Sequence, residues 1–318
     1  MTVGIGDSGV TEPALHAAAV YDSDDSLRGH AEPFLRAGLD RGDAILAMVP
    51  ARVERVLRAA LDGDSDRVQW REPVLTHRRL GEVFDDFHRF LAERHAAGES
   101  ARLLTENDLD GDPDRLAAYL RLEAVSTEIL RPYGSPWTCL YDRRRHPEEM
   151  LTCVGEVHPQ LTTHRGPPVP STTYIQANAY LTSHAGPVSP VPEPVDLDIE
   201  LATTRHLSAL RHQLRTRAPS SHISADGIDL MLVAITEVVT NALQHGQPPC
   251  RVRAWESGRV AHVRVEDHGH ATGLATAGYQ RPTAPKTSGT GLWLARQLAD
   301  VIHTQTSAAG TVVELQFR

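Results

Sequence analysis

Glu237 and Asn241 stand four residues apart in the run Ile235-Thr236-Glu237-Val238-Val239-Thr240-Asn241-Ala242-Leu243-Gln244-His245-Gly246. Four residues is about one helical turn, so the two side chains stack along one edge of a helix. Beside a nucleotide, the Asn241 carboxamide can offer an oxygen to a phosphate-bridging Mg²⁺. The Glu237 carboxylate can orient or deprotonate an attacking hydroxyl. A second segment, Val265-Glu266-Asp267-His268-Gly269-His270-Ala271, leaves a strand through Asp267 into a glycine turn. A carboxylate there can accept from an adenine amino group while Gly269 lets the base approach the backbone. A third, Thr287-Ser288-Gly289-Thr290-Gly291-Leu292-Trp293, runs glycine-rich backbone into a helix start. Such a start aims N–H groups and the positive dipole end at an anion. Each segment alone also fits a plain structural role: a solvated helix face, an ordinary strand-to-loop turn, a loop before a helix. The third lacks the GK[ST] ending of a P-loop, which excludes Walker-type phosphate binding.

The elements that must position these groups follow from hydrophobic periodicity. Met231, Ala234, Ile235, Val238 and Ala242 mark the apolar face of a helix over 225–245. Around it the pattern predicts a helix over 203–217, strands over 251–256 and 261–266, a helix over 291–300, and strands over 302–307 and 311–317. Helices segregated from an antiparallel sheet make an α+β sandwich. The first half reads differently. Strands over 16–21, 44–49, 101–105 and 138–142 alternate with helices over 27–38, 52–61, 83–95 and 114–130, with Gly38 as the expected C-cap of the first. That rhythm predicts an α/β domain with a mostly parallel sheet. Residues 1–12 read as a disordered tail and 13–165 as the α/β domain. Residues 166–195 hold seven prolines and read as an extended spacer, and 196–318 is the second domain.

The 318 residues suffice for two ordinary domains. The net charge of −9, with no basic tract, argues against direct nucleic-acid binding. No apolar run approaches the length of a membrane span, and the N-terminus lacks the pattern of a signal peptide. Three scattered cysteines make no disulfide framework, so a reduced, cytoplasmic setting is expected. Lys286 is the sole lysine among 32 basic residues, a bias that arises from genome composition.

Taken together, the three segments resemble the N, G1 and G2 boxes of the histidine-kinase-like (GHKL) ATPases, over 196–318. Glu-x-x-x-Asn-Ala-x-x-His-Gly and Gly-Thr-Gly-Leu-Trp-Leu-Ala are similar to the boxes of the anti-sigma-factor serine kinases. The resemblance implies ATP and Mg²⁺ as cofactors, Asn241 as the Mg²⁺ ligand and Glu237 as the general base. It also implies nucleotide contacts from His245, Asp267, Gly269, Gly289, Thr290, Gly291 and Leu292. Lys286, in the short loop between the boxes, either meets the terminal phosphate or is a solvated surface lysine. The second glycine of the family's Asp-x-Gly-x-Gly is replaced by Ala271. Arg211-His212-Gln213-Leu214-Arg215-Thr216 mimics a histidine-kinase phosphoacceptor. However, His212 precedes Glu237 by too few residues for the dimerisation hairpin and reads as a helix-surface residue.

His16, Tyr21-Asp22-Ser23-Asp24, the 33–43 segment, Cys139-Leu140-Tyr141-Asp142 and Val157-His158-Pro159 resemble the MEDS sensory domain, over 13–165. The resemblance implies a RecA-like parallel α/β core with no working P-loop and a small-molecule or partner signal. Polar residues at strand ends of a parallel sheet gather at a crevice, so His16, Glu106, Glu123, Cys139 and Tyr141 are the expected pocket. His16 and Cys139 taken singly also fit as satisfied core residues. Cys139, Cys153 and His158 match no zinc spacing, and no metal is expected from them. The expectation is therefore a cytoplasmic, sensor-controlled protein serine/threonine kinase of the anti-sigma-factor type. Its partners would be a sigma factor and a STAS-type antagonist, and by family analogy it would be a homodimer with no membrane or nucleic-acid contact. An ATP-dependent binding switch without phosphoryl transfer, or an atypical sensor histidine kinase, are the alternatives.

Overall fold

The computed structural model describes residues 16–73, 79–107, 112–186, 188–217, 223–271, 273–279 and 290–318. The tail 1–12 therefore lies outside the described residues. The chain divides into two compact units. One is built from 1–73, 86–108 and 126–174, the other from 74–85, 109–125 and 175–318.

In the first unit, strands β1 (His16–Tyr21), β2 (Ala44–Met48), β3 (Val68–Arg71), β4 (Ala101–Glu106), β5 (Trp137–Asp142), β6 (Gln160–Thr163) and β7 (Gly166–Pro170) form one sheet. Their order is β3-β2-β4-β5-β1-β6-β7, and every pair but the last is parallel. The parallel sheet is as the β-α-β rhythm requires. The interior strands β1, β4 and β5 are buried at almost every position, on both faces, as expected of a parallel sheet. Helix α1 (Asp24–Arg41) is capped by the Ser23 hydroxyl, which accepts from the Ser26 N–H at 3.2 Å. It runs one turn past the expected Gly38. The residue that closes it is Gly42, at φ 74°, a left-handed position that glycine adopts without strain. Gly38 is instead a packing position, where a Cβ would stand 2.5 Å from Cδ of Arg102. Helices α2 (Ala51–Leu61), α3 (Leu80–Ala96), α4 (Pro113–Leu130) and α5 (Glu148–Val157) complete the connections, and α3 and α4 each have residues in both units.

The spacer expected over 166–195 is corrected. Gly166–Pro170 pairs with β6 as the sheet's edge strand, where prolines are tolerated because the outward N–H has no ladder partner to lose. A short helix α6 (Ala177–Ser183) follows, with Ala177, Tyr180 and Leu181 buried. A proline-dense stretch is compatible with an edge strand as well as with a spacer.

The second unit contains the antiparallel sheet β11-β12-β10-β9-β8, formed by β8 (Leu197–Leu201), β9 (Cys250–Ser257), β10 (Val260–Asp267), β11 (Val301–Ser307) and β12 (Gly310–Phe317). Helices α7 (Leu207–Arg217), α8 (Ala225–His245) and α9 (Thr290–Leu298) bury their apolar stripes on it. Met231, Ala234, Ile235, Val238 and Ala242 of α8 share one core with Val252, Val263, Val265, Leu315 and Phe317. Strand alternation sends those sheet residues to a single face. Helix α8 starts at an Ser224 N-cap, whose hydroxyl accepts from the Gly227 N–H at 3.1 Å. Burying this stripe fixes the rotation of α8 and so decides which way Glu237 and Asn241 point.

Candidate functional site

Glu237 and Asn241 lie on α8, half-buried, beside the stripe that fixes the helix. Opposite them sits Gly291 in the first turn of α9. A Cβ built on Gly291 would stand 2.8 Å from Oε2 of Glu237 and 3.0 Å from Nδ2 of Asn241. The helix start, the carboxylate and the carboxamide thus share one small space, and only a residue without a side chain leaves it open. Asn241 also ties this space to the end of its own helix, since the Gly246 N–H donates to the Asn241 carbonyl at 3.3 Å and the Ala242 carbonyl at 3.1 Å.

Gly246 leads directly to the strand-end aspartate. Oδ1 of Asp267, at the end of β10, accepts from the Gly269 N–H at 2.7 Å and the Gln247 N–H at 3.1 Å. One carboxylate oxygen therefore locks the turn after β10 to the turn after α8. The His268 N–H returns to the Gln247 carbonyl at 3.3 Å. Gly269 is required here too, because a Cβ would lie 2.9 Å from the Gln247 nitrogen. Through this chain of contacts the structure brings Glu237, Asn241, Gly246, Asp267, Gly269 and Gly291 into one continuous region.

Other expected residues fall differently. Leu292 packs its side chain into the core, so only its backbone can face a ligand. His245, the last residue of α8, is exposed. Thr290 opens α9. Lys286 and Gly289 lie outside the described residues. His212 is exposed on α7, as a helix-surface residue should be. A cavity of about 330 Å³ borders Asp267 and Thr311 but is not lined by Glu237, Asn241 or Gly291.

Two contributors were not legible in the motifs. Thr311 pairs with Asp267 across β10 and β12. Its hydroxyl donates to the Gly269 carbonyl at 2.7 Å and accepts from the Ala271 N–H at 3.2 Å. Thr311 thus holds the glycine turn, including the position where Ala271 departs from the family pattern. A single threonine in an alternating strand gives no signal by itself. Arg296 of α9 donates from Nε to the Ala277 carbonyl at 2.9 Å and lies 4.0 Å over the Tyr279 ring, fastening the 273–279 turn beside α9.

In the first unit the expected pocket separates into two groups, by strand parity. Register pairs Ala18 with Cys139 and Thr105 with Cys139, while Tyr21 pairs with Asp142 and Glu106 with Leu140. Successive strand residues alternate faces, so Glu106 lies on the face opposite Cys139. There it accepts from the Tyr21 hydroxyl at 2.8 Å and pairs with Arg52, which also reaches Asp142 at 3.3 Å. Burial pushes the Glu106 carboxyl up to about 6, with Arg52 and Tyr21 pulling the other way. Its expected place beside His16 and Cys139 is corrected.

On the other face His16, Cys139 and His158 are all buried, and one potential ligand atom from each lies within 4.8 Å of the others. Tyr141 borders this group, its ring 5.7 Å from that of His158. Burial alone holds His16 far below its usual range, at about 3, so its imidazole is neutral. His158 entered as part of a sequence motif and, with Cys139 and Cys153, was expected to hold no metal.

Residues 201–317 match the family described as the histidine kinase-like ATPase domain. That domain, with its antiparallel sheet and the α8 and α9 helices, defines the class of the C-terminal part. Residues 15–159 match MEDS, the methanogen/methylotroph, DcmR sensory domain. The chain thus joins an N-terminal MEDS domain to a C-terminal histidine kinase-like ATPase domain. Among solved structures it is similar to the RsbU and RsbW domains of Rv1364c from Mycobacterium tuberculosis, at 23% identity and a TM-score of 0.29. That likeness covers 41% of this chain and 33% of the other, so this chain spans about a third of its length. The comparison with curated proteins gave no match. Among the described residues no helix is long and apolar enough to cross a membrane.

Proposed function

We propose that the C-terminal domain binds Mg²⁺-ATP and transfers the γ-phosphoryl group to a serine of a STAS-type antagonist, as an anti-sigma-factor kinase does, under control of the MEDS domain. The observation that supports this most directly is the space shared by Glu237, Asn241 and the N-terminal turn of α9 at Gly291. Asn241 supplies a neutral oxygen suited to Mg²⁺, a hard cation that would offset phosphate charge when bound. The α9 start offers backbone N–H groups and the positive dipole end to the phosphates. Asp267, its Oδ1 fixed by two backbone N–H groups, has Oδ2 as the oxygen to accept from the adenine amino group. Glu237 takes the proton from the serine hydroxyl. The serine oxygen bonds to the γ-phosphorus as the bond to the β-phosphate bridging oxygen breaks, and ADP leaves. Most of the acceleration comes from positioning and charge stabilisation. A sigma factor is then the partner held while the antagonist is phosphorylated.

The test uses the full chain, Mg²⁺ with radiolabelled ATP, and a STAS-domain protein. Acid-stable label on a serine of that protein is expected. Glu237→Ala should remove transfer by at least about 100-fold while leaving nucleotide affinity nearly unchanged. Nucleotide binding without transfer to any such protein would reduce the domain to an ATP-dependent binding switch. Acid-labile label on a histidine would replace the serine-kinase reading with a histidine-kinase one.

A further inference from the structure

The MEDS domain carries a buried constellation that the ATP reading does not use. His16 and Cys139 come from the adjacent parallel strands β1 and β5, and His158 from the residue closing α5. Sequence spacing could not reveal this, because His16 and Cys139 are 123 residues apart. Cys139, Cys153 and His158 were expected from their spacing to hold no metal, but strand register and burial gather Cys139 and His158 with His16.

The geometry is that of ligands around one ion. Zn²⁺ bonds of about 2.0–2.1 Å to nitrogen and 2.3 Å to sulfur give tetrahedral ligand-to-ligand edges of about 3.3–3.6 Å. Sγ of Cys139 lies 3.5 Å from Nε2 of His16, already at such an edge. The ligand atoms of the group are within 4.8 Å of one another, so closing on an ion shortens the longest edge by at most about 1.5 Å, shared between two side chains.

Outer partners orient these groups as they do around bound metals. Nδ1 of His158 is 2.9 Å from the Val154 carbonyl, which can only accept, so Nδ1 carries the proton and Nε2 the lone pair. Nδ1 of His16 meets the Thr127 hydroxyl at 2.9 Å while Nε2 faces Cys139. The Trp137 indole N–H donates to Thr105 at 2.9 Å, and the Thr105 hydroxyl donates to Sγ of Cys139 at 3.4 Å. The sulfur is thereby cast as an acceptor, the role of a thiolate. The His16 ring is clamped by stacking on Trp137 at 4.6 Å.

The mixed sulfur and nitrogen set suits a borderline cation such as Zn²⁺ and not the hard, oxygen-seeking Mg²⁺.

We propose that His16, Cys139 and His158 supply the protein ligands of a site for Zn²⁺ or a similar transition-metal dication within the MEDS domain. The site is independent of the ATP-binding reading and stands or falls without it.

The test uses the full untagged chain. After removal of metal with chelator and confirmation of the fold by circular dichroism, it is titrated with Zn²⁺ and, separately, with Co²⁺. One ion per chain is expected, with intense tetrahedral d–d absorption and a thiolate-to-cobalt charge-transfer band. Cys139→Ser should abolish the charge-transfer band, and His158→Ala should weaken Zn²⁺ binding by at least tenfold. Cys153→Ser should leave both unchanged. A folded chain that binds neither ion overturns the proposal. So does a cobalt spectrum that survives Cys139→Ser or disappears with Cys153→Ser. Should the Cys139 and His158 variants fail to fold, the wild-type cobalt spectrum decides: a missing thiolate band overturns the site, and its presence together with retention in Cys153→Ser upholds it.

Discussion

Replacing Gly291 by alanine exchanges one hydrogen for a methyl group, and the structure says where that carbon goes. It lands 2.8 Å from Oε2 of Glu237, 3.0 Å from Nδ2 and 3.4 Å from Oδ1 of Asn241. All three contacts are to the ends of side chains that are half-exposed and can swing aside. The folded chain can therefore accommodate the methyl group, and alanine's better helix propensity, worth up to about 1 kcal/mol, offsets the displacement. The melting temperature should stay the same or rise slightly. Nucleotide binding needs the very space the methyl occupies, together with Glu237 and Asn241 in place. Overpacking of this kind costs about 1–3 kcal/mol, equivalent to roughly 5- to 150-fold weaker affinity. Titration calorimetry with Mg²⁺-ADP, run beside thermal melts of the same samples, separates the two effects. Wild-type affinity in Gly291→Ala would refute the placement of the phosphates beside Gly291. A large fall in melting temperature would refute the claim that the glycine serves the ligand instead of the fold.

Asp267→Asn keeps an acceptor at Oδ1 for the Gly269 and Gln247 N–H groups but puts a donor where the adenine amino group is expected. ATP affinity should fall about 10- to 100-fold with the fold intact, as read by calorimetry and circular dichroism. Equal affinity would move the base elsewhere. Thr311→Ala removes the hydroxyl linking Gly269 and Ala271. It should lower the melting temperature by a few degrees, about 1 kcal/mol, and weaken nucleotide binding alongside. Glu314 is wholly buried and, although burial works against its charge, hydrogen bonds from His262, Arg264 and Ser189 hold its carboxyl down at about 2. A folded value below the unfolded one near 4.5 means stability that is present above about pH 4.5 and lost as pH falls toward 2. The amount is on the order of 3 kcal/mol. Acid denaturation followed by tryptophan fluorescence should show a shallower pH dependence in Glu314→Gln, and an unchanged profile would count against the assignment.

The sequence by itself determined what local patterns encode. The apolar stripe of α8 fixed that Glu237 and Asn241 share one edge, because helix geometry leaves no other arrangement. The β-α-β rhythm made the first sheet parallel, and the glycine before Leu292 marked the start of α9. The ends of elements were less legible: α1 passes through Gly38 because a glycine that packs under Arg102 looks the same in sequence as one that caps. The prolines over 166–170 looked like a spacer because edge position in a sheet is invisible until the sheet exists. Only tertiary structure could set Gly291 against Glu237, pair Thr311 with Asp267, or send Glu106 to the opposite face from Cys139. Those relations depend on register and on packing between distant segments, and a one-residue shift in strand parity reverses them. The same holds for His16, Cys139 and His158. Each is an ordinary buried residue in its own segment, and they become a set of ligands only because parallel pairing of β1 with β5 and the docking of α5 bring them together.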